Sequence, residues 1–184
     1  GWANVSCTPF RNYKQLTHLG GVADPLIVSW PKGIAARGEI RQQFVHVIDL
    51  MPTLLEITKA PRPDTYKGIT LKPVEGASFV RTFASPDAPT RTEQYYELGS
   101  NRAYQEGKWR IAVRHERGKP LADDVFELYD TATDPNELRN VAAQNPEIVA
   151  RLLAKWEDAA RRHNVYPIDD RALIIRLVQY RQAK

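Results

Sequence analysis

The rhythm of apolar and polar positions divides the chain into segments of different character. Residues 1–24 are polar, contain glycine and show no period, which reads as loop. "PLIVSW" (25–30) is a short apolar run between Pro25 and Pro31, the pattern of a strand buried on both faces. Residues 32–41 read as a surface connection. In "QQFVHVIDLMPTLLEITK" (42–59) the pattern turns helical near residue 50. Pro52 fits a first turn, Asp49 stands where a carboxylate caps free N–H groups, and Leu50, Met51, Leu54, Leu55 and Ile57 make one apolar stripe. Residues 60–92 are rich in proline, glycine and polar residues, a long surface excursion with one helical turn near Phe79–Phe83.

From 94 to 131 the period is that of strands. "QYYELG", "RAYQEG", "KWRIAVRH" and "DVFELYDT" carry aromatic and branched residues, with turns at Glu106-Gly107 and Gly118-Lys119-Pro120. Strands so closely spaced pair antiparallel as a meander. "NPEIVARLLAKWEDAARRHN" then reads as a helix. Asn145 stands at the N-cap, Pro146 at the first helical position, and Ile148, Leu152, Trp156 and Ala159 or Ala160 recur at helical spacing. Arg161, Arg162 and His163 suit its negative end. A second helix is expected over 171–182, where Leu173, Leu177 and Tyr180 share one side.

Composition changes this picture little. The chain has 184 residues, 42% hydrophobic and 26% charged, the balance of an ordinary globular protein. Its single cysteine excludes an internal disulfide framework and a cysteine-rich zinc site. No apolar run is long enough to span a bilayer, so no membrane partner is expected, and no targeting signal is visible at residues 1–10. The net charge of +4 is concentrated late, through Arg161, Arg162, Arg171, Arg176, Arg181 and Lys184. A basic tail can meet polyanions, but no stacking or groove-reading pattern accompanies it, so it reads as a solvated surface without a nucleic-acid partner.

Dinucleotide-binding, P-loop, zinc-protease and serine-hydrolase motifs are missing. The histidines His18, His46, His115 and His163 are scattered singly, and Asp123-Asp124 and Asp169-Asp170 read as solvated turns. "YDTATDPNELRN" lacks the glycine and terminal glutamate of a calcium loop, and an Asp-Pro turn leading to a helix cap explains it. Lys14 stands three residues after Arg11 and near Gly20-Gly21. Such a segment places a flexible ammonium beside backbone that a ligand can approach closely.

The motifs taken together resemble the type I sulfatases of the alkaline-phosphatase superfamily. "TPFRNYKQLTHLGGVADPLIVSWP", "VIDLMPTLLEI", "PVEGASFVRTF", "YYELGSNRAYQEGKWRIAV", "FELYDTATDPNELRNVAAQNPEIVARL" and "NVYPIDDR" are similar to successive blocks of the C-terminal part of those enzymes, in unbroken order over residues 1–171. Cys7-Thr8-Pro9-Phe10-Arg11 also spells C-x-P-x-R, in which sulfatases convert cysteine to formylglycine. Here Leu16-Thr17 comes late and His18 replaces the expected glycine, so Cys7 reads as a chance match.

The resemblance implies that Lys14 is the sulfate-binding lysine, counted as catalytic and substrate-binding. It also places His18 beside it in a substrate-side or supporting role. Arg11 could instead anchor the loop. The formylglycine and a Ca²⁺ or Mg²⁺ ion belong, by the same resemblance, to a portion upstream of Gly1.

The expected fold is α/β, with an α+β C-terminal subdomain. Residues 1–60 supply the edge of a large mixed-sheet catalytic domain, and 61–92 a surface excursion. Residues 93–165 form a small antiparallel sheet of about four strands with a packed helix, and 166–184 a basic tail. The expected function is that of an arylsulfatase C-terminal fragment, a sulfuric ester hydrolase inactive alone, partnered by the N-terminal catalytic portion and a sulfate ester. Exposed apolar surface is expected to make the isolated chain self-associate. A phosphate or phosphonate ester hydrolase fragment and a non-catalytic binding or assembly domain are the alternatives.

Overall fold

Alternation within the strands decides which side of the sheet each residue faces, and both sides prove to be covered. The computed structural model describes residues 1–35 and 38–171. Along the chain run helices α1 (Trp2–Ser6), α2 (Leu19–Val22) and α3 (Leu50–Thr58), and a small hairpin of β1 (Thr65–Tyr66) and β2 (Ile69–Thr70). Then come β3 (Glu93–Leu98), β4 (Asn101–Glu106), β5 (Trp109–Val113), β6 (Glu127–Asp130) and helix α4 (Pro146–Arg162). Strands β3 to β6 form one antiparallel sheet in sequence order. Internal contacts divide the chain into two units, Gly1–Pro25 with the chain from Glu93 onward, and Leu26–Thr92. No helix among the described residues is long and apolar enough to cross a membrane.

In the sheet unit, the register aligns Tyr95, Tyr104, Ile111 and Leu128 in one row across all four strands. This row meets Leu152, Trp156, Ala159 and Ala160 of α4, and these residues form the core. Trp156 is fully buried, stacks on Tyr95 at 5.4 Å between centroids, and donates from Nε1 to the Tyr96 carbonyl at 3.0 Å. Gly99 and Ser100, both left-handed (φ +58° and +74°), close the two-residue turn between β3 and β4. The four-stranded meander, its packed helix and the helical turn at Val80–Phe83 match the reading of the sequence.

Several details differ. Asn145 occupies the N-cap of α4, but its side chain donates to the Val141 carbonyl at 2.9 Å instead of capping. Two short helices interrupt the expected loop at 1–24. Asp134 closes a turn on the Leu138 and Arg139 amides rather than capping a helix, since α4 starts only at Pro146. The Asp pairs are not simply solvated. Asp124 is buried against Arg102 and His115 (Nδ1 to Oδ2 2.9 Å), and Asp170 accepts from the Gly118 amide at 2.7 Å. The helix expected at 171–182 lies outside the described residues, as do Arg176, Arg181 and Lys184.

The unit Leu26–Thr92 is held by polar latches. Asp49 does not cap α3 with its side chain. Its carboxylate accepts from the His46 and Ala77 amides, both at 2.8 Å, and pairs with Arg91 at 3.2 and 2.5 Å. Burial pushes this carboxyl up, but the Arg91 and backbone hydrogen bonds outweigh it and hold it below its ordinary value. Thr53 accepts from the Phe79 amide at 3.1 Å. Gly76 passes so close to this turn that a Cβ there would lie 2.0 Å from the Ile48 carbonyl oxygen. The apolar stripe of α3 is only partly covered, with Leu50, Leu55 and Ile57 half-buried. Thr53 is its one buried position, and Met51 and Leu54 are exposed. "PLIVSW" forms no strand and is exposed, Ile27 at 89%. A strand needs a partner strand to take its backbone hydrogen bonds, and among the described residues no strand pairs with this segment.

Candidate functional site

The face of the sheet opposite α4 carries Tyr96, Ala103, Ala112 and Glu127 in one row and Gln94, Gln105, Arg110 and Tyr129 in the next. Small residues at 103 and 112 let another chain segment approach, and the loop 11–21 lies there. Arg110 and Glu137 are both fully buried and pair at 3.0 Å. Arg110 also donates to the Thr17 carbonyl and to Gln105 Oε1 (3.2 Å), and its guanidinium stacks over Tyr96 at 4.7 Å. Glu137 accepts from the Leu19 amide through its other oxygen, at 2.8 Å. A buried ion pair survives only when its remaining donors and acceptors are satisfied, and here the loop backbone satisfies them.

Arg11 completes the attachment. Its guanidinium donates to Tyr129 Oη at 2.7 Å, to the Glu137 carbonyl at 3.1 Å and to Glu127 Oε1 at 3.3 Å. The anchoring role foreseen as the alternative for Arg11 is the one the geometry shows. His18, 1% exposed, places Nε2 2.7 Å from Glu127 Oε2 and packs edge-on against Tyr129. The His18 hydrogen bond draws the Glu127 carboxyl down to about 2 against the opposing effect of burial, with help from Tyr129 and Arg11. Burial and the Glu127 contact push the Tyr129 phenol up.

Lys14 lies in this loop. It is exposed, and its side chain makes no hydrogen bond or ion pair among the described residues. The chain on both sides of it is fixed, by Arg11 before it and after it by Asn101, which donates to the Gln15 carbonyl at 2.9 Å. The glycine pair has a different purpose from the one its sequence suggests. A Cβ on Gly20 would lie 2.3 Å from the carbonyl oxygens of Arg11 and Asn12, and one on Gly21 would lie 2.0 Å from that of Leu16. The loop's own carbonyls fill the space, so these glycines serve loop closure and not ligand approach.

The structure therefore sets Lys14 and His18 on one loop in opposite environments, Lys14 in solvent and His18 in the wall of the sheet. Cys7 is half-buried, just beyond α1. Among the described residues, no three His, Cys, Asp or Glu side chains stand close enough to hold a metal ion. Sequence reasoning missed Arg110, Glu127, Tyr129 and Glu137. One signal was available: in "KWRIAV" and "FELYD" polar residues alternate with core residues, so they share the second face.

Comparison with known proteins is consistent with this architecture. The family model described as N-sulphoglucosamine sulphohydrolase, C-terminal, matches residues 13–162. An uncharacterized sulfatase of Schizosaccharomyces pombe is 28% identical over 158 residues, covering 84% of this chain and 28% of the relative. Arylsulfatase K of Bos taurus is 26% identical, with 76% and 26% covered, and the N-acetylgalactosamine-6-O-sulfatase of Bacteroides thetaiotaomicron 25%, with 83% and 30% covered. The chain thus spans between a quarter and a third of the length of these relatives. A solved structure from work on glycosaminoglycan metabolism by Bacteroides thetaiotaomicron shares the fold at a TM-score of 0.64 and 23% identity, covering 82% of this chain and 32% of that one. A second solved structure, of a protein in complex with its substrate D-glucosamine-2-N,6-O-disulfate, superposes at 0.53 with 20% identity, covering 78% and 29%.

Proposed function

Because the chain belongs to the N-sulphoglucosamine sulphohydrolase C-terminal family of sulfatases, we propose that it supplies a sulfuric ester hydrolase with the lysine that meets the sulfate group. The observation that carries this reading is the contrast at Lys14, an uncommitted cation on a loop whose flanking backbone is fixed. Negative charge builds on the sulfuryl oxygens as an ester S–O bond breaks. A point charge with three donors, held by a preorganised loop, stabilises that charge more than it stabilises the ground state. His18 acts through the loop, by holding it to Glu127. The names of the relatives favour a sulfated amino sugar as the ester.

In the full-length protein, Lys14→Ala lowers kcat/KM for an aryl sulfate by roughly a hundredfold or more, the scale of one lost transition-state donor. Lys14→Arg restores part of it. An unchanged rate in Lys14→Ala removes the assignment, and faster turnover of a phosphate ester than of a sulfate ester moves the protein to the other esterase class. The apolar side chains exposed in the unit Leu26–Thr92, among them Ile27, Val47, Met51 and Leu54, support a second part of the reading. The N-terminal catalytic portion covers them, so the chain alone is inactive and self-associates. Light scattering of the isolated chain then reads a mass above the monomer, and a monodisperse monomer counts against it.

A further inference from the structure

Lys14 occupies the second position of a turn, Tyr13–Leu16, which the Leu16 amide closes on the Tyr13 carbonyl at 3.3 Å. The third position belongs to Gln15, whose φ of +80° lies in the left-handed region. Turns of this kind favour glycine there, because a Cβ makes the conformation costly. A residue with a side chain persists in it only where its surroundings hold it.

One side chain from the sheet does so. Asn101, the first residue of β4, donates from Nδ2 to the Gln15 carbonyl at 2.9 Å. Among the described residues no other side chain hydrogen-bonds the backbone of residues 13–16. The other ties of the loop lie to either side of the turn: Arg11 before it, and after it the Thr17 carbonyl on Arg110 and the Leu19 amide on Glu137. Asn101 is itself fixed. Its Nδ2 also donates to the Leu98 carbonyl at 3.1 Å, its Oδ1 accepts from the His115 amide at 3.1 Å, and its backbone pairs with Leu98 at the end of the β3–β4 hairpin. Both ends of its amide are engaged, and that sets which end faces Gln15.

We infer that Asn101 is the positioning residue of Lys14. By holding Gln15 in its left-handed conformation, it sets the direction in which the Lys14 side chain leaves the loop. The inference rests on the reading of Lys14 as the sulfate contact. A cation that stabilises developing charge must stand where that charge appears, and a misplacement of about 1 Å can cost roughly a hundredfold in rate.

In the full-length protein, Asn101→Ala is expected to lower kcat for an aryl sulfate about tenfold and to leave KM within about twofold. Asn101→Asp keeps an acceptor for the His115 amide but loses the donor to Gln15, and is expected to fall as far. In a Lys14→Ala background, Asn101→Ala changes kcat by less than about twofold, because the lysine through which it acts is gone. Hydrogen exchange of the Leu16 amide, which closes the turn, rises about tenfold or more in Asn101→Ala, while that of the Leu19 amide, held by Glu137, does not. The inference is overturned by full turnover in Asn101→Ala or Asn101→Asp, by an equal loss with and without Lys14, or by unchanged exchange at Leu16. An unchanged rate in Lys14→Ala alone sinks the sulfate contact instead, and exchange at Leu16 then still decides whether Asn101 holds the turn.

Discussion

The two faces of the four-stranded sheet are covered by opposite kinds of chemistry. On one, Tyr95, Tyr104, Ile111 and Leu128 meet the apolar side of α4, and the stabilisation is the removal of hydrocarbon from water. On the other, Arg110, Glu127 and Tyr129 meet a loop of backbone amides and carbonyls, and what holds them is a set of hydrogen bonds and ion pairs. The first face tolerates imperfect geometry, because burial has no direction. The second does not, because a single missing partner leaves a buried charge uncompensated. That difference fits their uses, since the apolar face stabilises the unit and the polar face fixes the loop that presents Lys14.

The contrast is sharpest under mutation. Trp156→Ala removes the largest fully buried side chain of the apolar face and costs about 3–5 kcal/mol, read by chemical denaturation. The loss is global, so hydrogen exchange rises in α4 and in the loop alike. Glu137→Gln keeps the shape of the polar face but leaves Arg110 unbalanced, at a cost of about 3 kcal/mol. Here the exchange of the Leu19 amide rises well before that of α4. A uniform rise in both variants would erase the distinction between the faces.

The smallest effect is that of pH. The Glu127 carboxyl is lowered from its ordinary value to about 2 in the fold. Its contribution is therefore complete above the unfolded value and is lost as pH falls through the folded one, a window from about 4.5 down to about 2. With its partial exposure discounted, this amounts to about 2 kcal/mol. Glu127→Gln flattens that part of the stability profile, and a profile unchanged by the substitution would detach Glu127 from the loop's anchorage.

Legibility in the sequence followed the range of the interactions. The meander was readable because two-period alternation and turn residues such as Gly107 act locally, and α4 because its apolar spacing and Pro146 do. "PLIVSW" misled, since an apolar run states what a segment prefers to bury and not whether a neighbour is present to cover it. Gly20 and Gly21 misled in a similar way: the pair announces a close approach without saying what approaches.

By itself, then, the sequence determined the order and type of the elements from β3 to α4, the apolar spacing of α4, and the family through the succession of its motifs. Only the tertiary structure decided that Arg110 is buried, that Arg11 and His18 are anchors, and that Lys14 stays free between them. The physical reason is distance along the chain. Arg11 and Tyr129, or Leu19 and Glu137, are more than a hundred residues apart, and no local periodicity encodes which buried charge meets which distant backbone group.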